Sequence, residues 1–287
     1  VEAYQTPFML SEEEIEQAVA LAQKADVVIL AIGESHEWSG EGGSRAFLTL
    51  PGNQEQLAEK IFELNKKTVV VLFNGRPLEI RELVHQAPAV LEAWFPGTEG
   101  GHAISDILFG DVAPEGRLSI SIPYTVGQCP IYYNAFNTGR PYVPNNRFTT
   151  HYIDAPNDPL YPFGYGLTYT TFAYSDAKLS RSILRKGETI ELSVTVKNTG
   201  TRAATETVQL YIRDVVGTVV RPIKELKGFQ KVHLAPNETC RVRFTIDETM
   251  LRYVNHECQY VSDPGTFIAM VGPNSKELIQ LPFELVE

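Results

Sequence analysis

The chain opens on a helical repeat. From Glu12 to Lys24, apolar residues return at Ile15, Val19 and Ala22 on one face, among charged and polar neighbours. Ser11 stands before this stretch and Glu14 three positions on, the sequence form of a capping box. The period then breaks into an unbroken apolar run, Val27 to Ile32, which reads as a buried parallel strand. The alternation continues with a helix at Gln54 to Leu64, a strand at Thr68 to Phe73 and a short helix at Leu78 to His85. A strand at Ala89 to Glu92, a helix at Gly101 to Leu108 and a strand at Leu118 to Ile122 complete the series. Strands alternating with helices predict an open α/β sandwich with a mostly parallel sheet.

Residues 126–172 change character. They are rich in Pro, Tyr, Asn and Gly, as in Pro159-Leu160-Tyr161-Pro162-Phe163-Gly164-Tyr165-Gly166. A disordered linker would hold fewer aromatics, so an ordered connector lying across both domains is expected. From Ala173 the period becomes two. Ile190, Leu192, Val194 and Val196 alternate along Thr189 to Lys197, and Asn198-Thr199-Gly200 turns the chain. Val208 to Ile212, Cys240 to Ile246 and Phe267 to Val271 read as further short strands. Short strands at regular spacing predict a β-sandwich of immunoglobulin or fibronectin type. The expected division is 1–125 for the α/β sandwich, 126–172 for the connector and 173–287 for the β-sandwich.

The loops after the strands carry the chemistry. Ligands of open α/β sheets bind beyond the carboxyl ends of the strands. The first such loop, Gly33 to Arg45, holds Glu34, Glu37, Glu41, His36, Trp38 and three serines on a Gly-rich backbone. The second is Asn74-Gly75-Arg76-Pro77, and the third runs from Trp94 to Gly101. All three are expected on one edge of the sheet. Glu41 is the catalytic candidate: flanking Gly40, Gly42 and Gly43 let its backbone approach a ligand closely, and a carboxylic acid there suits general acid work. Glu34 and Glu37 fit loop bracing or surface charge. Arg45 fits an ion pair with a loop carboxylate or a clamp on a ligand hydroxyl. Trp38 fits a wall of a sugar subsite or packing under the loop, and Ser39 adjoins it.

Composition narrows the partners. The 287 residues suffice for two domains, and the net charge of −10 argues against nucleic acid and favours a neutral small substrate. No apolar run is long enough to span a bilayer, so no membrane insertion is expected. The three cysteines, Cys129, Cys240 and Cys258, allow at most one disulfide, and neither they nor the six histidines show metal-ligand spacing. No P-loop, dinucleotide fingerprint or Gly-x-Ser-x-Gly elbow is present, so neither a metal nor a cofactor is expected. Val1-Glu2-Ala3-Tyr4 carries neither an initiator Met nor a secretion signal, and the chain is expected to begin inside a longer precursor.

Several motifs together resemble the C-terminal part of glycoside hydrolase family 3 enzymes of the bacterial periplasmic β-glucosidase type. They are Ser39-Gly40-Glu41-Gly42-Gly43-Ser44-Arg45 with Leu50-Pro51-Gly52-Asn53-Gln54, Asn74 to Leu78, Ala93 to Gly101, Leu108 to Asp111, Asn137 to Tyr142, Leu160 to Tyr169 and Arg221 to Phe229. The resemblance implies a retaining β-glycosidase whose α/β sandwich is followed by a fibronectin type III-like domain, acting on terminal β-D-glucosyl residues of a β-glucoside or oligosaccharide. It implies that Glu41 is the general acid/base, with Trp38, Ser39 and Arg45 as candidate substrate-binding residues. It also implies a periplasmic or secreted location and is compatible with a homodimer. The family's nucleophile is an Asp in a Ser-Asp-Trp motif on a (β/α)8 barrel. This chain has neither: Ser105-Asp106 is followed by Ile107, and Ser175-Asp176 by Ala177. The barrel is therefore expected as a partner or missing part. The competing class is a non-catalytic carbohydrate-binding or scaffold module.

Overall fold

The structure, a computed structural model, describes residues 9–287. Val1 to Tyr4, read above as the interior of a longer precursor, lie outside them. The chain divides into two compact units. One runs up to Phe109 and takes in Ile122–Cys129; the other holds Gly110–Ser121 and Pro130–Glu287.

The first unit is α/β. Helix α1 (Glu12–Lys24) starts where the capping box places it: Ser11 Oγ accepts from Glu14 N–H at 3.2 Å, and Glu14 accepts from Ser11 N–H at 2.7 Å. There follow β1 (Val27–Gly33), α2 (Gln54–Phe62), β2 (Lys67–Phe73), α3 (Arg81–Gln86), β3 (Ala89–Glu92) and α4 (Gly100–Phe109). The strands form a parallel sheet in the order β1-β2-β3, with Val27 opposite Lys67 and Val69 opposite Ala89. Val70, Val71 and Leu72 of the central strand are each at most 1% exposed, and α2 packs against α1, α3 and β1.

Two expectations are corrected here. β1 is not buried on both faces: Leu30 and Ile32 point into the core, while Val27 and Ile29 are each 52% exposed. Helices cover one side of this edge strand, and among the described residues the other side stays open. Leu118 to Ile122 forms no strand. Leu118 instead exchanges backbone hydrogen bonds with the Pro/Tyr-rich segment, donating to Tyr165 O at 2.8 Å and accepting from Gly164 N–H at 2.7 Å.

The second unit is a β-sandwich. Its strands are β4 (Phe172–Leu179), β5 (Ile183–Arg185), β6 (Thr189–Asn198), β7 (Ala204–Asp214), β8 (Glu225–Leu234) and β9 (Thr239–Asp247), then the short β10 (Tyr253–Val254) and β11 (Tyr260–Val261), then β12 (Gly265–Gly272) and β13 (Ile279–Val286). A five-stranded sheet, β5-β13-β12-β7-β8, is joined by a three-stranded sheet, β4-β6-β9. Ile190, Leu192, Val194 and Val196 of β6 face Leu210 and Ile212 of β7, Phe267 and Phe283 in one closed core. Residues 130–171 belong to this unit. Tyr133 stacks on Phe163 at 4.2 Å and meets Tyr211 edge-on at 5.8 Å. Gln209 Nε2 donates to Gly164 O at 3.0 Å. A buried trio also forms: Arg117 donates to Glu206 at 2.9 Å, and Tyr174 Oη donates to the same carboxylate at 2.8 Å. Burial pushes the Glu206 carboxyl up, against the pull of Arg117 and Tyr174.

Candidate active site

The site is built at the carboxyl ends of β1, β2 and β3. Leaving β1, Gly33 is gripped on both backbone groups by the Gln54 side chain, which accepts from its N–H at 2.7 Å and donates to its C=O at 2.9 Å. Glu34 N–H then donates to Phe73 O at 2.7 Å, prolonging the sheet by one residue. This fixes the direction in which the Glu34 side chain leaves the strand, which is inward: it is 0% exposed.

Two arginines meet that carboxylate. Arg45 Nη1 donates to it at 2.7 Å and Arg76 Nε lies 3.2 Å away. The N–H of Gly75 approaches at 3.4 Å. Each guanidinium also holds the Glu41 loop. Arg76 Nη2 donates to the Trp38 carbonyl and reaches Ser39 Oγ at 3.4 Å. Arg45 Nη2 donates to Thr49 O at 2.9 Å, and its guanidinium lies 4.6 Å over the Trp38 ring. A Cβ on Gly75 would collide with Ser39 and with the Phe95 ring, so loops from all three strands converge on one glycine.

Between these anchors sits a tight turn. Gly43 N–H donates to Gly40 O at 3.1 Å, and Gly40 and Gly42 take φ of +103° and +79°, which a Cβ would strain. Glu41 is the second residue of this turn and is exposed. Trp38, Ser39 and Arg45 are partly exposed beside it. The four predicted residues thus lie on one braced loop. Glu34 is a bracing residue, while Glu37 and His36 are exposed.

Beneath the loop lies a polar pair that the sequence reading passed over. Asn74 is 0% exposed; its Nδ2 donates to Arg76 O at 2.8 Å and stands 3.4 Å from Glu92 Oε2. Its Oδ1 finds no hydrogen-bond partner among the described residues. Glu92 accepts from Trp94 N–H at 3.2 Å, and Trp94 itself takes φ of +51°. Burial pushes the Glu92 carboxyl up to about 7, against the bonds from Trp94 and Asn74. The available signal was position: Glu92 ends the third strand as Glu34 follows the first. Among the described residues no group of three His, Cys, Asp or Glu side chains is placed to hold a metal ion.

Comparison with known proteins fits this geometry. The glycosyl hydrolase family 3 C-terminal domain matches residues 3–169, and the fibronectin type III-like domain matches residues 206–275. The chain belongs to glycosyl hydrolase family 3. It is 46% identical over 274 residues to a periplasmic beta-glucosidase of Salmonella typhimurium, covering 95% of this chain and 36% of that protein. It is 40% identical to a beta-xylosidase of Formosa agariphila, covering 93% and 36%. A beta-glucosidase from Listeria innocua, solved in complex with glucose, superposes with a TM-score of 0.92 at 43% identity, covering 97% of this chain and 39% of that one. The chain thus spans somewhat over a third of the length of these relatives.

Proposed function

We propose that this chain supplies the general acid/base of a retaining β-glycosidase, with Glu41 as that group. The observation that carries the reading is the braced turn. Glu41 is presented at the strand ends on a loop held at both sides, and its own side chain is open to what lies beyond. Retaining hydrolysis needs a second carboxyl group roughly 5–5.5 Å away across the scissile bond. A (β/α)8 barrel outside this chain supplies it as the nucleophilic Asp, together with most contacts to the first sugar.

In the first step the barrel Asp attacks the anomeric carbon while Glu41 protonates the departing glycosidic oxygen. In the second, Glu41 takes a proton from water, whose oxygen attacks the anomeric carbon and releases the Asp. Trp38 and Ser39 flank the leaving-group side of this reaction. The substrate class is a β-glucoside or short oligosaccharide. A beta-xylosidase among the relatives supports a sugar preference set largely by the barrel. The Salmonella relative's name supports a periplasmic or secreted setting.

The test is Glu41→Gln in the polypeptide or complex that includes the barrel. Glycosylation should slow by about 10²–10⁴-fold on cellobiose, whose leaving group needs a proton. An activated dinitrophenyl glucoside should lose far less. Equal losses on both substrates would remove Glu41 from the acid role. Denaturing mass spectrometry of the purified sample tells whether the barrel travels as a second polypeptide. No turnover with the barrel present would favour a non-catalytic carbohydrate-binding module.

A further inference from the structure

We propose that Glu34 is the positioning residue for the acid/base loop, acting through Arg45 and Arg76. The inference rests on the acid/base reading of Glu41 and adds the device that aims it. A general acid must meet one oxygen within hydrogen-bond reach, and a displacement of about 1 Å can cost 10²-fold. Glu41 sits on a glycine turn, which by itself has little stiffness. Its precision must come from the ends of the loop.

Both ends lead to one carboxylate. On the incoming side, Arg76 Nη2 holds the Trp38 carbonyl and reaches Ser39 Oγ, two residues before Glu41. On the outgoing side, Arg45 Nη1 is bound to Glu34 at 2.7 Å, four residues after Glu41, and its Nη2 holds Thr49 O at 2.9 Å. The two guanidinium groups carry like charge and converge because the Glu34 carboxylate lies between them, 2.7 Å from Arg45 and 3.2 Å from Arg76. Glu34 is itself immobile: its side chain is fully buried and its backbone continues the β1–β2 ladder through Phe73 O. The loop is thereby referred to the sheet through two planar forks, whose geometry fixes direction as well as distance.

The hub differs from the apolar core of the unit, where Val70, Val71 and Leu72 are each at most 1% exposed. Its consequence is a selective one. Loosening the hub should impair proton delivery and spare steps that need no proton.

The experiment uses the barrel-containing enzyme and three variants, Glu34→Gln, Arg76→Lys and Glu41→Gln, each assayed on cellobiose and on dinitrophenyl glucoside. Gln keeps the shape of Glu34 without its charge. Lys keeps the charge of Arg76 but loses the planar fork that reaches two partners in fixed directions. Read as kcat/KM, which reports the glycosylation step, Glu34→Gln and Arg76→Lys should each fall on cellobiose by about 10- to 100-fold, in line with the 10²-fold cost of a misplaced group. The same quantity should fall less than about 3-fold on the activated glucoside, where acid assistance is worth little. A flat loss on both substrates in Glu34→Gln, or in Arg76→Lys if Glu34→Gln does not fold, overturns the positioning role. If Glu41→Gln alone shows the skew, only the positioning inference fails. If Glu41→Gln is flat, the acid/base reading fails and the inference falls with it.

Discussion

The two units solve the same problem to different degrees. In the β-sandwich, both sheets spend their apolar faces on each other: Ile190, Val194, Val208 and Val271 are all at most 1% exposed. In the α/β unit, the central strand is buried while the outer face of β1 shows Val27 and Ile29, each 52% exposed. The buried charges differ in the same way. Glu206 is closed in with Arg117 and Tyr174, whereas Glu34 is buried under two arginines that reach the surface and hold a loop. The first arrangement closes on itself within the β-sandwich. The second ties the sheet to the Glu41 loop, and a scaffold that presents a loop in this way leaves part of itself open.

The sharpest test of this contrast is Glu206→Ala. It leaves Arg117 buried without its carboxylate, and should cost about 3–5 kcal/mol in chemical denaturation followed on the β-sandwich. Glu206→Gln, which still accepts from Tyr174, should cost less. Leu192→Ala should then remove about 2–5 kcal/mol from the same transition, while Ile29→Ala on the open face of β1 should stay within about 0.5 kcal/mol. A large loss at Ile29 would mean that this face is covered in solution.

The third test is pH. Glu92 has a carboxyl held at about 7 in the folded chain, above its ordinary value. Between the two values the folded state binds more protons than the unfolded one, so the stability of the α/β unit should fall as pH rises from about 4.5 to about 7. The fall should reach at most about 3 kcal/mol. Glu92→Gln should flatten that slope, read as urea midpoints across the window. The smallest effect is Ser11→Ala, which removes the α1 cap and should cost about 1 kcal/mol, seen as a small loss in thermal midpoint.

Legibility followed local signals. The bounds of α1 came out in full because the capping box is written in adjacent residues. β3 came out in full because turn residues close both its ends. Strand β8 was not read because Gly228 and Gln230 interrupt the face that Leu226, Val232 and Leu234 share on this edge strand. Strand β13 was hidden by Pro282, which ordinarily argues against a strand. It is tolerated because β5 pairs with β13 only from Glu284 onward, leaving Pro282 no second neighbour to bond. The misread strand at Leu118 has the right composition but finds its backbone partners in Gly164 and Tyr165, which no local pattern announces. At the site, the Glu41 loop stood out by its glycines and carboxylates. The roles of Arg76, Asn74 and Glu92 depend on three strands lying side by side, a relation between segments up to 58 residues apart in the chain (Glu34 to Glu92).

The open flank of β1 has a cost for anyone handling this polypeptide. Among the described residues β1 is the outermost strand of its sheet, offering a row of backbone donors and acceptors beside a strip of valine and isoleucine, the combination that recruits another copy edge to edge. Produced by itself, the chain should clump as its concentration rises. A lysine in place of Ile29 should keep it dispersed, and light scattering would follow the difference hour by hour.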